Sequence, residues 1–282
     1  VLVTDADGST GTTSFTVAID DDTPVATNDG NLATLSEDTT GANIGAASLL
    51  FGDDSFGADG GTGVTSIGAG DKGGSVTIDI NGDLIYTNTS QNVIQGGSEV
   101  ETFVYTITDG DGDTTTANFT VTLSDTGITN VQADNNLLAD DDDATTPVSA
   151  GNLGGTGDDA TLLSGTITYN LGADDIGSVA LSSGATGLTT LNDETVVTTF
   201  SGGVLIGHVD GDVNDVVFTI TLGTAGNTST SYDMVLVQPV KHTAGSDENN
   251  TTPFTVNVLV TDADGSTGTT SFTVAIDDDT PV

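Results

Sequence analysis

The chain lacks several kinds of residue on which common protein functions depend. It has no Cys and no Trp, and only 2 Lys plus Arg stand against 42 Asp plus Glu, a formal net charge of -40 at pH 7. Nucleic acid and anionic lipid are bound by basic surfaces, so this charge excludes both as partners. The absence of Cys excludes disulfides, zinc–thiolate sites, iron–sulfur clusters and cysteine nucleophiles.

Long apolar runs are also absent. No stretch of about 18 apolar residues occurs, which predicts that the chain does not insert directly into a membrane. The first residues, Val1 to Asp5, do not have the pattern of a signal peptide, so we expect any export signal to lie outside this sequence. Hydrophobic residues nevertheless make up 35% of the chain, and their short alternating runs favour folded domains over disorder.

One segment of 25 residues occurs twice without a difference. Residues 1–25 and residues 258–282 both read VLVTDADGSTGTTSFTVAIDDDTPV. A third, diverged copy spans residues 105–125. When the three copies are aligned, the steps between them are 104 and 153 residues, which indicates two kinds of domain in alternation.

These repeats predict the domain boundaries. Residues 1–22 are expected to be the C-terminal strands of a preceding repeat. Residues 23–125 are expected to form one cadherin-like β-sandwich, and residues 126–282 a second, longer β-sandwich repeat.

The hydrophobic pattern predicts strands throughout. Apolar and polar residues alternate at period two, as at Phe15, Val17 and Ile19 and again from Phe103 to Ile107. Gly, Asn and Asp clusters separate these runs at hairpin spacing, and no stretch shows a helical period. The predicted fold is all-β, with tandem antiparallel Greek-key β-sandwich domains of the Ig-like or cadherin-like type arranged end to end.

The acidic residues cluster at turns and predict bound cations. There are 37 Asp but only 5 Glu, and many Asp stand in Asp-x-Asp pairs or in runs. Short carboxylates on turns, with backbone carbonyls, supply the oxygen ligands that Ca²⁺ requires. A solvated acidic surface is the alternative, but it gives no reason to avoid Glu. We therefore expect multiple structural Ca²⁺ ions. The candidate ligands are Asp5, Asp7, Asp20, Asp22, Asp29, Glu37, Asp38, Asp109, Asp111, Asp113, Asp125, Asp140, Asp142, Asp174, Asp210, Asp212, Asp262, Asp264, Asp277 and Asp279.

Catalysis has little support in the sequence, and we expect no enzyme activity. His208 is in step with Val204 and Ile206 and is expected to be a half-buried strand residue, while His242 is expected on a surface loop. Carboxylates are so abundant that no glycosidase pair can be singled out, and no aromatic sugar platform is evident. EF-hand loops are excluded because residues such as Thr120 stand where the twelfth-position Glu is required.

Two non-catalytic alternatives to a structural spacer remain open. A Ca²⁺-dependent, lectin-like carbohydrate-binding module would hold an ion in a loop such as Asp140–Asp143. A self-assembling surface-layer or filament subunit would use the strands of residues 1–22 to complete a neighbour's sheet. The verbatim repeat favours the spacer over the lectin, because a ligand-binding tip is expected in a single copy.

Several motifs carry a resemblance to a known family. Three motifs lie in residues 23–125: Leu35-Ser36-Glu37-Asp38-Thr39, Gly82–Thr87 and Glu101–Gly112. With these motifs, residues 23–125 resemble a cadherin-like or VCBS-type repeat. Three further motifs lie in residues 126–282: Leu236–His242, Val260–Gly265 and Asp277–Pro281. With these motifs, residues 126–282 resemble the longer repeat class found in adhesins with such repeats. Together the two segments resemble the extender region of a giant RTX adhesin exported by type I secretion.

The resemblance implies a structural function outside the cell. It implies Ca²⁺-rigidified sandwiches in tandem on the surface of a Gram-negative bacterium, holding a ligand-binding tip away from the membrane for adhesion and biofilm formation. The implied partners are neighbouring repeats of the same chain. Self-association through residues 1–22 is a further expectation.

Overall fold

A computed structural model describes residues 1–88, 96–141, 144–145, 161–242 and 251–277, apart from the side chain of Thr62. The described residues contain one short 3₁₀ helix, Ala47–Leu49. No helix among them is long and apolar enough to cross a membrane. The strands are β1 Leu2–Thr4, β2 Thr10–Thr12, β3 Asn31–Ser36, β4 Thr40–Ala46, β5 Gly61–Ile67, β6 Ser75–Ile78, β7 Asp83–Thr87, β8 Ser98–Asp109, β9 Thr114–Ser124, β10 Thr129–Ala133, β11 Leu137–Asp140, β12 Ser164–Asn170, β13 Ile176–Ser183, β14 Val196–Ser201, β15 Val204–Val209, β16 Asp212–Leu222, β17 Ser229–Leu236, β18 Phe254–Asp262 and β19 Thr267–Asp277.

The chain divides into two compact units. The first comprises Val1–Ala33, Gly41–Thr87 and Glu101–Val121, and the second comprises Thr34–Thr40, Asn88–Val100 and Thr122–Val282. Because these units are interleaved along the sequence, they do not test the boundaries placed after residues 22 and 125. Those boundaries stay predictions.

Aromatic side chains form the core of the first unit. Tyr86 on β7, Phe103 on β8 and Phe119 on β9 are fully buried. The rings of Tyr86 and Phe103 meet edge to face at 6.0 Å, and those of Phe103 and Phe119 stack at 5.1 Å. Since β7 belongs to the sheet β4-β7-β6 and the other two strands to the sheet β3-β9-β8-β5, these contacts pack one sheet on the other. This is the core of a β-sandwich.

The second unit contains a larger sandwich. One sheet has the order β10-β12-β17-β16-β15-β14 and the other has the order β11-β19-β18-β13. Tyr232 on β17 stacks on Phe272 on β19 with ring centroids 4.3 Å apart, which joins the two sheets through the core. The pairing of β11 with β19 is parallel, and it places Asp140 beside Asp277 at the strand ends. The all-β, mainly antiparallel sandwich fold predicted from the period-two pattern is thereby confirmed.

The two copies of the identical segment differ in their surroundings. In β19 the side chains of Phe272, Val274 and Ile276 are at most 2% exposed. The same residues near the N-terminus, Phe15, Val17 and Ile19, are 77%, 68% and 90% exposed. The strand predicted there is wrong for this chain, since no strand is formed after β2 until β3. The physical reason is that a strand requires a neighbour to satisfy its backbone groups, and here none is paired with these residues.

Candidate metal centres

Carboxylates gather at two places in the described residues. In the second unit, Glu37, Asp125 and Asp174 offer oxygens within 4.8 Å of one another, and Asp174 does the same with Asp262 and Asp264. We call these five residues the Asp174 cluster. In the first unit, a second group of carboxylates gathers around Asp109.

Local turn chemistry positions Asp262 and Asp264. Asp262 is the last residue of β18, and its Oδ1 accepts a hydrogen bond of 3.0 Å from the backbone N–H of Gly265. Gly265 has a φ of 107°, a conformation that favours glycine, so the turn after β18 can close tightly. Asp264 Oδ1 accepts from the backbone N–H of Ser266 at 3.0 Å. The turn thus holds both carboxylates while leaving each Oδ2 available.

Asp125 is fixed in the segment between β9 and β10. Its carboxylate accepts from the backbone N–H groups of Gly96 at 2.6 Å and Gly127 at 2.7 Å, and from the hydroxyl of Ser266 at 2.9 Å. Burial opposes the charged form, but these hydrogen bonds outweigh it and hold the pKa of Asp125 below its usual value. Asp125 therefore stays ionised at neutral pH.

Glu37 is buried in the turn between β3 and β4. Its side chain is 1% exposed, and Oε1 accepts from both the backbone N–H and the hydroxyl of Thr126, at 3.0 and 2.9 Å. The backbone N–H of Glu37 donates to the carbonyl of Ser124 at 3.1 Å. These contacts place a glutamate from the start of the sandwich sequence beside the residues that end it.

Asp174 is the least satisfied member of the cluster. It is 4% exposed, and neither of its carboxylate oxygens has a hydrogen-bond partner. Burial, followed by the nearby charges of Glu37 and Asp264, raises the pKa of Asp174 to about 7. Burial and the neighbouring Asp264 also raise the pKa of Asp262 to about 6. The folded chain therefore holds carboxylates together in a place where their charges are costly.

The Asp174 cluster fits a hard divalent cation. Four buried oxygens in it lack a hydrogen-bond partner: both of Asp174, Oδ2 of Asp262 and Oδ2 of Asp264. Buried polar atoms are normally paired, so this concentration of unpaired carboxylate oxygens needs a compensating group. Ca²⁺ takes oxygen ligands, largely carboxylates and carbonyls, in loose geometry, which is the chemistry present here.

The carboxylates around Asp109 resemble that arrangement. Asp109, Asp111 and Asp113 lie within 4.8 Å of one another, and Asp111 also groups with Asp21 and Asp59. We call these five residues the Asp109 cluster. Asp109 is 7% exposed, and its Oδ2 has no hydrogen-bond partner. The adjacent Asp109 carboxyl, followed by burial, raises the pKa of Asp111 to about 6.

The predicted ligands fall into three groups. The structure brings together Asp109, Asp111 and Asp113 in one cluster and Glu37, Asp125, Asp174, Asp262 and Asp264 in the other. Within the described ranges, no group of three metal-binding side chains includes Asp5, Asp7, Asp20, Asp22, Asp29, Asp38, Asp140, Asp210, Asp212 or Asp277. Asp142 and Asp279 lie outside the described residues.

Two cluster members were not among the predicted ligands. Asp21 aligns with Asp125 when the copies of the repeat are superposed on Phe15 and Phe119, so the repeat itself carried a usable signal. Asp59 has no such signal, because it stands alone in sequence and joins the cluster only through tertiary structure.

The two histidines are both buried. His208 lies in a strand as expected, but it is buried rather than half-buried: it is 4% exposed, and its Nδ1 lies 2.9 Å from the carbonyl of Val209. The surface position expected for His242 is wrong, since its side chain is 5% exposed and its Nε2 lies 3.0 Å from Asp141 Oδ2. The physical reason is this partner about a hundred residues earlier, which the loop sequence around His242 does not reveal.

Comparisons with known proteins agree with the sandwich in the first half of the chain. Residues 20–122 match the family model described as Bacterial Ig domain. No curated protein shows a significant match to the chain. The match makes residues 20–122 similar to a bacterial Ig domain.

Solved structures similar to the chain contain cadherin domains. The mouse clustered PcdhgC3 EC1-3 structure is 9% identical, with a TM-score of 0.28, over 92% of this chain and 69% of that one. The protocadherin gammaB7 EC3-6 cis-dimer is 13% identical, with a TM-score of 0.29, over 90% and 48%. Zebrafish RET cadherin-like domains 1 to 4 are 11% identical, with a TM-score of 0.21, over 75% and 41%. The chain spans less than half the length of the latter two.

Proposed function

We propose that the chain is a non-catalytic structural extender of a bacterial surface adhesin, stiffened by Ca²⁺ bound between its acidic turns. The observation that carries this proposal is the group of four buried carboxylate oxygens without partners in the Asp174 cluster. The match of residues 20–122 to a bacterial Ig domain supports a repeat of this kind. The verbatim recurrence of residues 1–25 supports a tandem array.

The finer identity follows from the motifs. We propose that the array belongs to an RTX adhesin exported by type I secretion, and that it projects a ligand-binding tip from the surface of a Gram-negative bacterium. Its partners in this role are the neighbouring repeats of the same chain. Adhesion and biofilm formation would depend on the reach of the tip, to which each repeat contributes length.

Residues of the Asp174 cluster would bind the ion and so connect two parts of the chain. Asp125 sits between β9 and β10, and three hydrogen bonds already hold it in place. Asp174, Asp262 and Asp264 present unpaired oxygens towards the same small volume. A bound Ca²⁺ supplies the positive charge that these oxygens lack, so the segment carrying Asp125 is held to the turn after β18.

The energy available is large enough to matter. Extracellular Ca²⁺ modules have dissociation constants of about 10⁻⁴ to 10⁻³ M. At ten times the dissociation constant, one site adds about 1.4 kcal/mol to the free energy of unfolding. A few such sites amount to an appreciable part of the 5 to 15 kcal/mol that is roughly the stability of a folded domain.

Thermal unfolding and small-angle scattering with Ca²⁺, with Mg²⁺ and with a chelator test the proposal. Chelation should lower the melting temperature and change the maximum dimension, and Mg²⁺ should restore both less well than Ca²⁺ because it demands tighter octahedral geometry. Asp174→Asn should remove much of the Ca²⁺ effect. Asp233→Asn, at an exposed carboxylate of β17 outside both clusters and outside the predicted ligands, is the matched control and should leave it intact. A melting temperature and a maximum dimension that do not change when calcium is removed would refute the proposed function.

A further inference from the structure

We infer that the outer face formed by β13, β18 and β19 in the second unit is a lateral contact surface, and that its partner is the same face of a second copy of this chain. The face carries no charge, although the chain as a whole has a net charge of -40. This inference goes beyond the proposed function and needs no bound metal. It concerns the pairing of chains side by side, not the joining of repeats end to end.

Three neighbouring strands supply this surface. Alternate residues point outward from Ser178 to Ser182 on β13, from Thr255 to Thr261 on β18 and from Thr267 to Thr273 on β19, and we call these side chains the neutral face. The inward residues between them, such as Val258 and Phe272, are buried in the core. Every outward residue in these ranges is Ser, Thr, Asn, Ala or Leu.

The strand register arranges the neutral face in rows. Leu259 on β18 lies between Ala180 on β13 and Thr269 on β19. The rows on either side of this one contain only Ser, Thr and Asn. Leu259, which is 42% exposed, is therefore an apolar side chain near the centre of a neutral polar surface.

The carboxylates of these three strands stand at strand ends and are shielded from solvent. Asp262 ends β18 and Asp277 ends β19, and they are 3% and 8% exposed. The outer face of the other sheet, by contrast, carries the exposed carboxylate of Asp233 on β17. Because like charges repel, two strongly acidic copies can approach each other at the lowest cost through their neutral faces.

The neutral face is also complementary to itself. An open groove in it is lined by side chains that include Ser182, Asn257, Leu259 and Ser271. In a two-fold pair each copy presents the same patch, so Leu259 of one copy can fill the groove of the other. Hydroxyl groups and the Asn257 amide both donate and accept hydrogen bonds, so they can pair with identical groups across the contact.

The size of the neutral face predicts a weak contact. Strands lie about 4.8 Å apart and alternate residues about 6.8 Å apart, so three strands and four rows cover roughly 400 Å². Two copies would bury roughly 800 Å², less than the roughly 1,200–2,000 Å² of a stable interface. The outward residues from Thr102 to Thr108 on β8, which aligns with β18, are uncharged as well. In a long array, many weak contacts of this kind would add up.

Sedimentation velocity of the full chain in excess Ca²⁺, over a series of protein concentrations, tests the inference. The sedimentation coefficient should rise with concentration, and more so at about 0.5 M than at about 0.05 M NaCl, because salt screens the repulsion between acidic copies. Thr269→Asp places a carboxylate beside Leu259 and should lower the association constant at least about tenfold. Thr199→Asp, at an exposed threonine of β14 in the other sheet, adds the same charge and should leave association nearly unchanged.

Oxidative cross-linking locates the contact, because the chain has no cysteine of its own. Leu259→Cys should form a disulfide-linked dimer, and the yield should saturate with protein concentration as a specific pair fills. Val235→Cys, at 45% exposure on β17, is the matched control and should cross-link more slowly and without saturation.

The remaining outcomes overturn the inference. They include a chain that stays monomeric at every concentration, even one that binds a neutral polysaccharide through this face, and equal cross-linking at the two cysteine positions. Equal weakening by Thr269→Asp and Thr199→Asp would mean that net charge alone governs association. Association that survives Thr269→Asp but is lost with Phe15→Asp would place the contact on residues 1–22. None of these results changes the effect of calcium on unfolding, which tests the proposed function separately.

Discussion

Replacing Asp174 by Asn should change the stability of the chain in opposite directions with and without calcium. Asp174 is 4% exposed, and burial among other carboxylates raises its pKa from 3.8 to about 7. A shift of that size corresponds to roughly 4 kcal/mol of cost for the ionised form, at about 1.4 kcal/mol per pKa unit. The asparagine has no charge to bury, so it should recover part of this cost, about 2–4 kcal/mol, in the metal-free chain.

The pH dependence has a defined sign. Because the pKa of Asp174 is higher in the folded chain than in the unfolded chain, the folded state binds more protons between 3.8 and about 7. In the absence of metal, the stability that protonated Asp174 contributes is fully present below 3.8 and falls as the pH rises through this window. The advantage of the asparagine should therefore be absent near pH 4 and complete near about pH 8.

Urea unfolding followed by circular dichroism or by tyrosine fluorescence measures the effect. With a chelator near about pH 8, Asp174→Asn should raise the free energy of unfolding of the second unit. With Ca²⁺ in excess, the same substitution should lower the free energy of unfolding, because a ligand for the ion is lost. A destabilisation of equal size in both conditions would refute the reasoning, since it would mean that the carboxylate is stabilised by the fold alone.

Three further predictions concern the fold around the clusters. Glu101 is fully buried and accepts two hydrogen bonds, so Glu101→Ala should cost about 3 kcal/mol in urea unfolding whether or not calcium is present. A Cβ on Gly177 would lie 2.1 Å from the carbonyl oxygen of Asp262, so Gly177→Ala should weaken Ca²⁺ binding in calorimetric titration. Phe272→Ala should cost about 3–5 kcal/mol, while Phe15→Ala, the same residue of the identical segment at 77% exposure, should change the stability of the single chain by less than about 0.5 kcal/mol.

Much of the fold could be predicted from the sequence because apolar and polar residues alternate along a strand that has one buried and one exposed face. In β8, Phe103, Tyr105 and Ile107 face the core at every second position, as their spacing indicated. The same reasoning failed at Phe15 and Ile19, where the pattern is present but the strand partner is not. A pattern can specify which face would be buried, but the chain must also contain the surface that buries it.

The candidate site was predictable only in its local parts. The turns that hold Asp109 and Asp262 could be recognised from the repeat, because each turn lies within a few residues of sequence. The proximity of Glu37 to Asp174 could not be recognised from the sequence, since no local pattern relates residues so distant in the chain. The unpaired state of their oxygens, which is the strongest indication of a cation, depends on burial that only the folded structure defines.

Diffraction from crystals of the 282-residue chain grown in calcium, with anomalous differences collected, tests the central claim most directly. The account predicts a strong anomalous peak beside Asp125, at distances of about 2.3–2.6 Å from the unpaired oxygens of Asp174, Asp262 and Asp264. Well-ordered carboxylates around an empty volume in that map would contradict it.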